Sequence, residues 1–175
     1  MGNILRIIAD RKNRVRGVVE FGVKRFACAL GKSGIINEAK KREGDGATPA
    51  GLYFPVCVYL RRDRVQSLQT LIPKNEILEN SGWCYGPECQ DYNTHVTLPH
   101  TGSAEKLWRQ DGLYDIILVI SHNQAPVVPG KGSAIFFHIA TDDFLPTEGC
   151  VALRKDDLPK LLEAIRPATL IRIHS

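Results

Sequence analysis

Apolar and polar residues alternate along the first thirty positions of the chain, with turn-forming residues between the runs. Segments 3–10, 14–22 and 24–31 are therefore predicted to be three successive strands. Residues 52–65 continue the pattern as a further strand. The polar, glycine-rich stretch before them, residues 35–51, is predicted to be a loop.

The second half of the chain contains further apolar runs. The continuous run at 114–121 indicates a buried strand, and residues 134–140 and 168–175 are also predicted to be strands. The region 62–112 has no clear period, and within it only residues 103–108 resemble a short helix.

One segment has a clear helical period, residues 154–165. Asp157 suits the N-cap position and Pro159 falls in the first turn, where proline is tolerated. The apolar residues of this segment share one face of the predicted helix: Leu158, Leu161, Leu162 and Ile165.

Many strands and few helices predict a mainly β fold. We expect a β-sandwich or a partly closed barrel of mixed sheets, with a few short helices and one C-terminal helix. The length of 175 residues suits one domain, and no internal repeat divides the chain, so residues 1–175 are predicted to form a single domain.

Composition and charge exclude some classes of protein and leave others open. Hydrophobic residues make up 43% and charged residues 24%, an ordinary globular mixture, and the net charge of +4 does not indicate nucleic-acid binding. The N-terminus lacks the pattern of a secretory signal, and no apolar run is long enough to span a membrane. The expected location is therefore cytoplasmic, or periplasmic if the start of the chain is truncated.

The chemistry of the chain concentrates on a cysteine that follows a glycine. The chain has five cysteines, an odd number that argues against a disulfide framework in the absence of an export signal. Cys150 follows Gly149, and His138 ends an apolar strand twelve positions earlier. A thiolate paired with an imidazole can attack a carbonyl, and backbone N–H groups at the glycine bend can stabilise the oxyanion. Cys150 as a small buried residue and His138 as a core histidine are the alternative interpretation.

Several motifs in fixed order make the chain similar to the YkuD-type L,D-transpeptidase domain. The motifs are "EGDGATPAGLY", "DYN", "LWRQDGLYD", "GSAIFFH" and "TEGCVAL", and the similarity extends from about Lys24 to the end. The resemblance implies that Cys150 is the nucleophile, His138 the general base and acid, and Gly149 with its neighbours the oxyanion site. A backbone carbonyl would orient the histidine. The implied substrate is a peptidoglycan stem peptide or muropeptide, attacked at the L,D bond after diaminopimelate, with no cofactor.

The chain departs from the usual ending of this family, which is Ser-His-Gly-Cys, one apolar residue, then arginine. Thr147 and Glu148 precede the glycine here, and Ala152 occupies the position of the arginine. Arg154, two residues later, is a candidate replacement. This variant ending favours a hydrolase, an L,D-carboxypeptidase, over a cross-linking enzyme. Further candidate substrate contacts, beside Thr147, Glu148 and Arg154, are Val151, Trp83 and Tyr92.

A second cluster of side chains supports a different hypothesis. Cys84, Cys89, His95 and His100 are four potential zinc ligands within seventeen residues. They would suit a zinc-stabilised binding module without catalytic activity. His122, after a buried strand, is a further candidate for the wall of the catalytic cleft.

Overall fold

The computed structural model describes residues 4–174 and has a mainly β architecture. Its strands are β1 (Ile4–Ala9), β2 (Arg16–Phe21), β3 (Lys24–Ala29), β4 (Ile35–Asn37), β5 (Thr48–Tyr53), β6 (Pro55–Leu60), β7 (Lys74–Glu76), β8 (Ser81–Cys84), β9 (His95–Thr97), β10 (Ala104–Lys106), β11 (Ile116–Ile120), β12 (Phe136–Ile139), β13 (Val151–Leu153) and β14 (Leu170–Ile173). Within these residues the helical structure is one α-helix, α1 (Asp157–Ala164), and one 3₁₀ turn (Glu38–Lys40). The predictions of a mainly β fold and of one C-terminal helix are confirmed. In place of the few short helices that were also expected, the described residues contain one 3₁₀ turn.

Eleven of the strands form one mixed sheet, in the order β4-β5-β14-β1-β2-β3-β13-β12-β11-β6-β7. The pairs β4/β5, β1/β14, β12/β13 and β6/β7 are parallel. The sheet stays open at β4 and β7, which excludes a fully closed barrel. A second, antiparallel sheet has the order β10-β8-β9.

The two faces of β12 separate the main core from the candidate site. Phe137 lies in the main apolar cluster with Val151, whereas Phe136 belongs to a second cluster with Tyr114. Successive side chains of a strand point to opposite faces, so His138 shares the face of Phe136. Its ring contacts Tyr114 edge-on, with the ring centroids 5.2 Å apart.

Helix α1 covers the main core with the apolar face that the sequence predicts. Three residues of the helix are fully buried, Leu158, Leu161 and Leu162, and so is Ile165 at its C-cap. The predicted cap is wrong by one position. Asp156 occupies the N-cap without a side-chain capping bond, and Asp157 lies in the first turn, where its charge suits the helix dipole. None of the helical segments in residues 4–174 has the length and apolar character needed to cross a membrane.

Two local predictions are wrong because strand pairing overrides local propensity. Residues 35–51 contain β4, the 3₁₀ turn and most of β5, where the predicted loop would have been. The predicted helix at 103–108 is instead strand β10, which pairs with β8 so that Ala104 lies opposite Cys84 and Lys106 opposite Gly82. The aperiodic region 62–112 therefore holds the whole of the small sheet.

Candidate active site

A threonine-centred turn delivers Cys150 to the start of β13. The Thr147 hydroxyl donates to the Cys150 carbonyl at 2.7 Å and accepts the Gly149 N–H at 3.1 Å. Gly149 has a φ of +135°, and a Cβ there would lie 2.8 Å from the Ala47 carbonyl oxygen. Only glycine fits this backbone and this space. Because Thr147 holds the Gly149 N–H, the candidate oxyanion donor at this bend is the Cys150 N–H rather than that of Gly149.

The Cys150 thiol is buried and makes two backbone hydrogen bonds. Its S–H donates to the Ala134 carbonyl at 3.1 Å, and its sulfur accepts the Phe136 N–H at 3.4 Å. Burial raises the pKa of Cys150 to about 12, against a smaller lowering by the Phe136 N–H. Desolvation thus outweighs the backbone donor, and Cys150 is a neutral thiol in the free protein.

His138 is held as a neutral base. A carbonyl can only accept, so Nδ1 carries the proton and donates to the Ile139 carbonyl at 2.8 Å. Nε2 then keeps its lone pair. Burial lowers the pKa of His138 to about 4, although the Ile139 hydrogen bond acts in the opposite direction. The Ile139 carbonyl thus fixes the orientation of the ring, and it is the candidate for the backbone carbonyl that the family resemblance implies.

Cys150 and His138 lie on the same face of two parallel neighbouring strands. His138 pairs with Ala152 of β13, two residues beyond Cys150. Both side chains line one cavity of about 690 Å³. Among the described residues, no hydrogen bond joins the sulfur to the imidazole. The cavity therefore holds a possible nucleophile and a possible base that could act on one carbonyl.

Three further side chains line this cavity that the sequence analysis did not assign to it. The Tyr114 hydroxyl donates to Glu105 at 2.6 Å, and burial raises the pKa of both groups. Arg109 lies over the Tyr114 ring at 4.9 Å and 3.9 Å from the Glu105 carboxylate. Arg109 and Tyr114 belong to the quoted "LWRQDGLYD" motif, so the signal was present without a role attached to it.

Thr147 and Glu148 line the cavity as expected, and Arg154 does not. Glu148 is exposed and forms an ion pair with Lys32 at 2.7 Å. Arg154 lies over the Phe144 ring at 5.0 Å and lines a neighbouring cavity. It does not replace the missing family arginine at the thiol. Arg109 is the arginine that faces the cavity with Cys150.

The other predicted substrate contacts have structural roles. Val151 is fully buried in the main core. Trp83 is buried and donates its indole N–H to Asn93 at 3.0 Å, and the Tyr92 hydroxyl contacts the Glu43 carboxylate and accepts the Gly132 N–H. None of the three side chains lines the cavity, because Val151 and Trp83 pack in apolar clusters and Tyr92 is held by its polar partners. These residues support the wall of the site.

Three of the four predicted zinc ligands lie together, and His122 does not line the cavity in which it was expected. Cys84, Cys89 and His100 present ligand atoms within 4.8 Å of one another. His95 is separate from them, since its ring stacks on Tyr59 with the centroids 5.2 Å apart. His122 lines a different cavity, with Tyr53 and Glu38, and not the one that holds Cys150.

A mainly β domain with a thiol and an imidazole in one cleft is the architecture expected of the resembled class. The family model of the L,D-transpeptidase catalytic domain, YkuD, matches residues 5–173. The chain belongs to this family.

Among solved structures, the chain is similar to L,D-transpeptidase 1 of Mycobacterium tuberculosis, with 13% sequence identity and a TM-score of 0.42. The similarity covers 99% of this chain and 60% of that chain, so the present sequence spans less than two thirds of that structure's length. No curated protein matches the chain.

Proposed function

We propose that the chain is a cysteine acyl-transfer enzyme that removes the terminal D-alanine from tetrapeptide stems of peptidoglycan fragments, an L,D-carboxypeptidase. The observation that carries the proposal is the pairing, in one cavity, of the Cys150 thiol with an imidazole whose free nitrogen is fixed by the Ile139 carbonyl. Family membership supplies the substrate class, a stem peptide with an L,D bond after diaminopimelate.

The first half-reaction forms a thioester. Nε2 of His138 takes the thiol proton as the Cys150 sulfur attacks the carbonyl carbon of the L,D bond, and the carbonyl oxygen becomes an oxyanion facing the Cys150 N–H. The tetrahedral intermediate collapses as the imidazolium returns its proton to the leaving nitrogen. D-Alanine departs as a free amine, and the acyl group stays on sulfur.

The second half-reaction consumes water. The same neutral Nε2 removes a proton from a water molecule that attacks the thioester, and the thiolate leaves and is reprotonated. The products are the tripeptide and the free enzyme. An amine in place of water would give an exchanged or cross-linked peptide, so the acceptor alone separates hydrolysis from transpeptidation.

Arg109 favours a substrate that ends in a carboxylate. Arg109 lines the cavity that holds the Cys150 thiol, and planar guanidinium groups bind carboxylates in a bidentate manner. It already contacts Asp111 and Glu105, so a substrate carboxylate would compete mainly for the Nη1 side, where the Glu105 contact is long at 3.9 Å. A terminal D-alanine offers such a carboxylate, whereas a residue within a cross-link does not.

A single digest tests the proposal. The protein is incubated with a disaccharide tetrapeptide and an excess of a different D-amino acid, and the products are weighed. Tripeptide alone is the expected result, and exchanged tetrapeptide would identify a transferase. Cys150→Ala and His138→Ala should abolish both products, whereas His122→Ala, a buried histidine outside the cavity, should leave turnover intact. An unchanged tetrapeptide with the wild-type chain would refute the proposal.

A covalent probe tests the nucleophile independently of the acceptor. A carbapenem should add its mass to one peptide, the one that contains Cys150, because acylation requires only the first half-reaction. Cys57→Ser serves as a matched thiol control, since Cys57 lies on β6 and outside the cavity. An adduct on any other cysteine would contradict the assignment of Cys150.

A further inference from the structure

Three potential metal ligands meet at the junction of the small sheet and its loops. Cys84 ends β8, Cys89 lies in the turn that follows, and His100 precedes β10. Their ligand atoms all lie within 4.8 Å of one another. Zinc–sulfur distances of about 2.3 Å and zinc–nitrogen distances of about 2.0 Å place tetrahedral ligand atoms roughly 3.5–3.8 Å apart. The separations of the ligand atoms therefore exceed those of a bound ion by about 1 Å at most.

The absence of a side chain at Gly102 lets Cys89 and His100 lie close together. A Cβ at Gly102 would lie 1.7 Å from the Cys89 sulfur and 3.4 Å from Cε1 of His100, so no larger residue fits at Gly102. The turn itself is held by the Cys89 N–H, which donates to the Gly86 carbonyl at 2.9 Å. Cys89 and His100 are partly exposed, which gives an ion a route from solvent.

His100 has the carboxylate partner that is typical of a metal-binding imidazole. Its Nε2 lies 3.2 Å from the Asp91 carboxylate, and its Nδ1 accepts the Gly102 N–H at 3.1 Å. A carboxylate on one ring nitrogen fixes the tautomer and makes the other nitrogen a better ligand. Nδ1 would therefore bind the ion, and it would exchange its hydrogen bond with the Gly102 N–H for that contact.

We infer that Cys84, Cys89 and His100 form a binding site for a soft divalent cation, Zn²⁺ in the first instance. Two thiolates and one imidazole suit zinc in type and number, with the fourth tetrahedral position left to water. Asp91 acts behind His100 as a positioning residue. His95, which the sequence groups with these ligands, is excluded by its position on Tyr59.

The site would brace the part of the small sheet that faces the catalytic cavity. Ala104 pairs with Cys84, and both Ala104 and Glu105 line the cavity with Cys150. An ion shared by β8, its following turn and the residues before β10 would fix these three segments together. The metal is therefore structural in this inference, and it takes no part in the acyl-transfer steps.

Metal content and competition titration test the site. The full chain, purified with excess zinc and then desalted, should retain about one zinc per chain, as a single set of three protein ligands requires. Cys84→Ser, Cys89→Ser and His100→Ala should each lose it, and Asp91→Asn should bind roughly 10–100-fold more weakly. His95→Ala and Cys57→Ser are the matched controls and should retain it. Cys150→Ala should also retain zinc, which separates this inference from the proposed catalytic function.

A second measurement avoids variants that fail to fold. In the wild-type chain, Cys84 and Cys89 should resist alkylation until a chelator is added, and cobalt in place of zinc should give thiolate-to-cobalt charge-transfer absorption. Zinc binding should release protons, because both thiols must ionise. No zinc on the wild-type chain, or equal zinc on the His100→Ala and His95→Ala variants, would overturn the inference.

Discussion

Asn93 connects the wall of the cavity to the thiol, and its truncation should destabilise the protein strongly. Its side chain is buried and makes four hydrogen bonds. Oδ1 accepts the Trp83 indole N–H and the Ala134 N–H, each at 3.0 Å, and Nδ2 donates to the carbonyls of His122 and Asn123. The Ala134 carbonyl in turn accepts the S–H of Cys150.

The magnitude follows from the groups that Asn93→Ala leaves behind. Two N–H donors, of Trp83 and Ala134, lose their acceptor, and a buried unpaired donor costs about 1–3 kcal/mol. Asn93 also has a φ of +59°, where alanine is about 1–2 kcal/mol worse. The sum is about 3–8 kcal/mol, a large part of the 5–15 kcal/mol that typically stabilises a domain. We expect the largest loss of stability of any single polar substitution around the site.

Urea unfolding and thiol labelling together test this reasoning. Trp83→Phe is the matched control, because it removes the indole donor together with its hydrogen bond and keeps the bond between Asn93 and Ala134. The loss of this one hydrogen bond should lower the free energy of unfolding by only about 1–2 kcal/mol. In Asn93→Ala, alkylation of Cys150 under native conditions should become faster, because the carbonyl that holds its S–H is released. A loss below about 1 kcal/mol, or labelling as slow as in the wild type, would refute the role of Asn93.

Three shorter predictions concern the site itself. The His138 pKa falls from 6.5 to about 4 on folding, so the unfolded chain binds a proton at a higher pH than the folded chain does. The free energy of unfolding, measured by urea titration, should therefore decline by roughly 2 kcal/mol between pH 7 and pH 5. A His138→Gln variant should lose this contribution to the pH dependence. Gly149→Ala should lower the unfolding free energy by about 1–3 kcal/mol through its positive φ, and displace Cys150 enough to abolish carbapenem acylation. Glu148→Gln breaks only the exposed ion pair with Lys32 and should change stability by less than about 1 kcal/mol, as measured by thermal unfolding.

Strands with a local signature were predictable and strands made by pairing were not. The alternation at 3–10 and 24–31 gives β1 and β3, and the leucine spacing gives α1, because each pattern reflects burial on one face. Strands β7 and β10 have three residues each and little apolar character. They exist because a neighbouring strand offers hydrogen bonds, and that information is not local in the sequence.

The same division holds for the candidate site. Cys150 and His138 were found from residue type, a glycine and a family resemblance. Arg109 lies in a motif that carried the resemblance but received no role, and Glu105 was not found, since nothing in residues 104–106 indicates that this strand returns to the thiol. The misplacement of Arg154 has a similar origin: its nearness in sequence to Cys150 suggested a role, but β13 carries it past the cavity to Phe144.

The protonation states of the free site restrict the order of the chemical steps. Burial raises the pKa of the Cys150 thiol and lowers that of the His138 imidazole, so both groups are neutral in the free site and desolvation disfavours a thiolate–imidazolium pair before substrate binds. In the proposed reaction, proton transfer to His138 therefore accompanies attack on the carbonyl. In that step positive charge develops on the imidazole, which the Ile139 carbonyl stabilises. Negative charge develops at the same time on the substrate oxygen, which the Cys150 N–H stabilises. In the proposed enzyme, such a protonated thiol reacts slowly with simple alkylating reagents, and fast acylation requires a carbonyl that is held against both the thiol and His138.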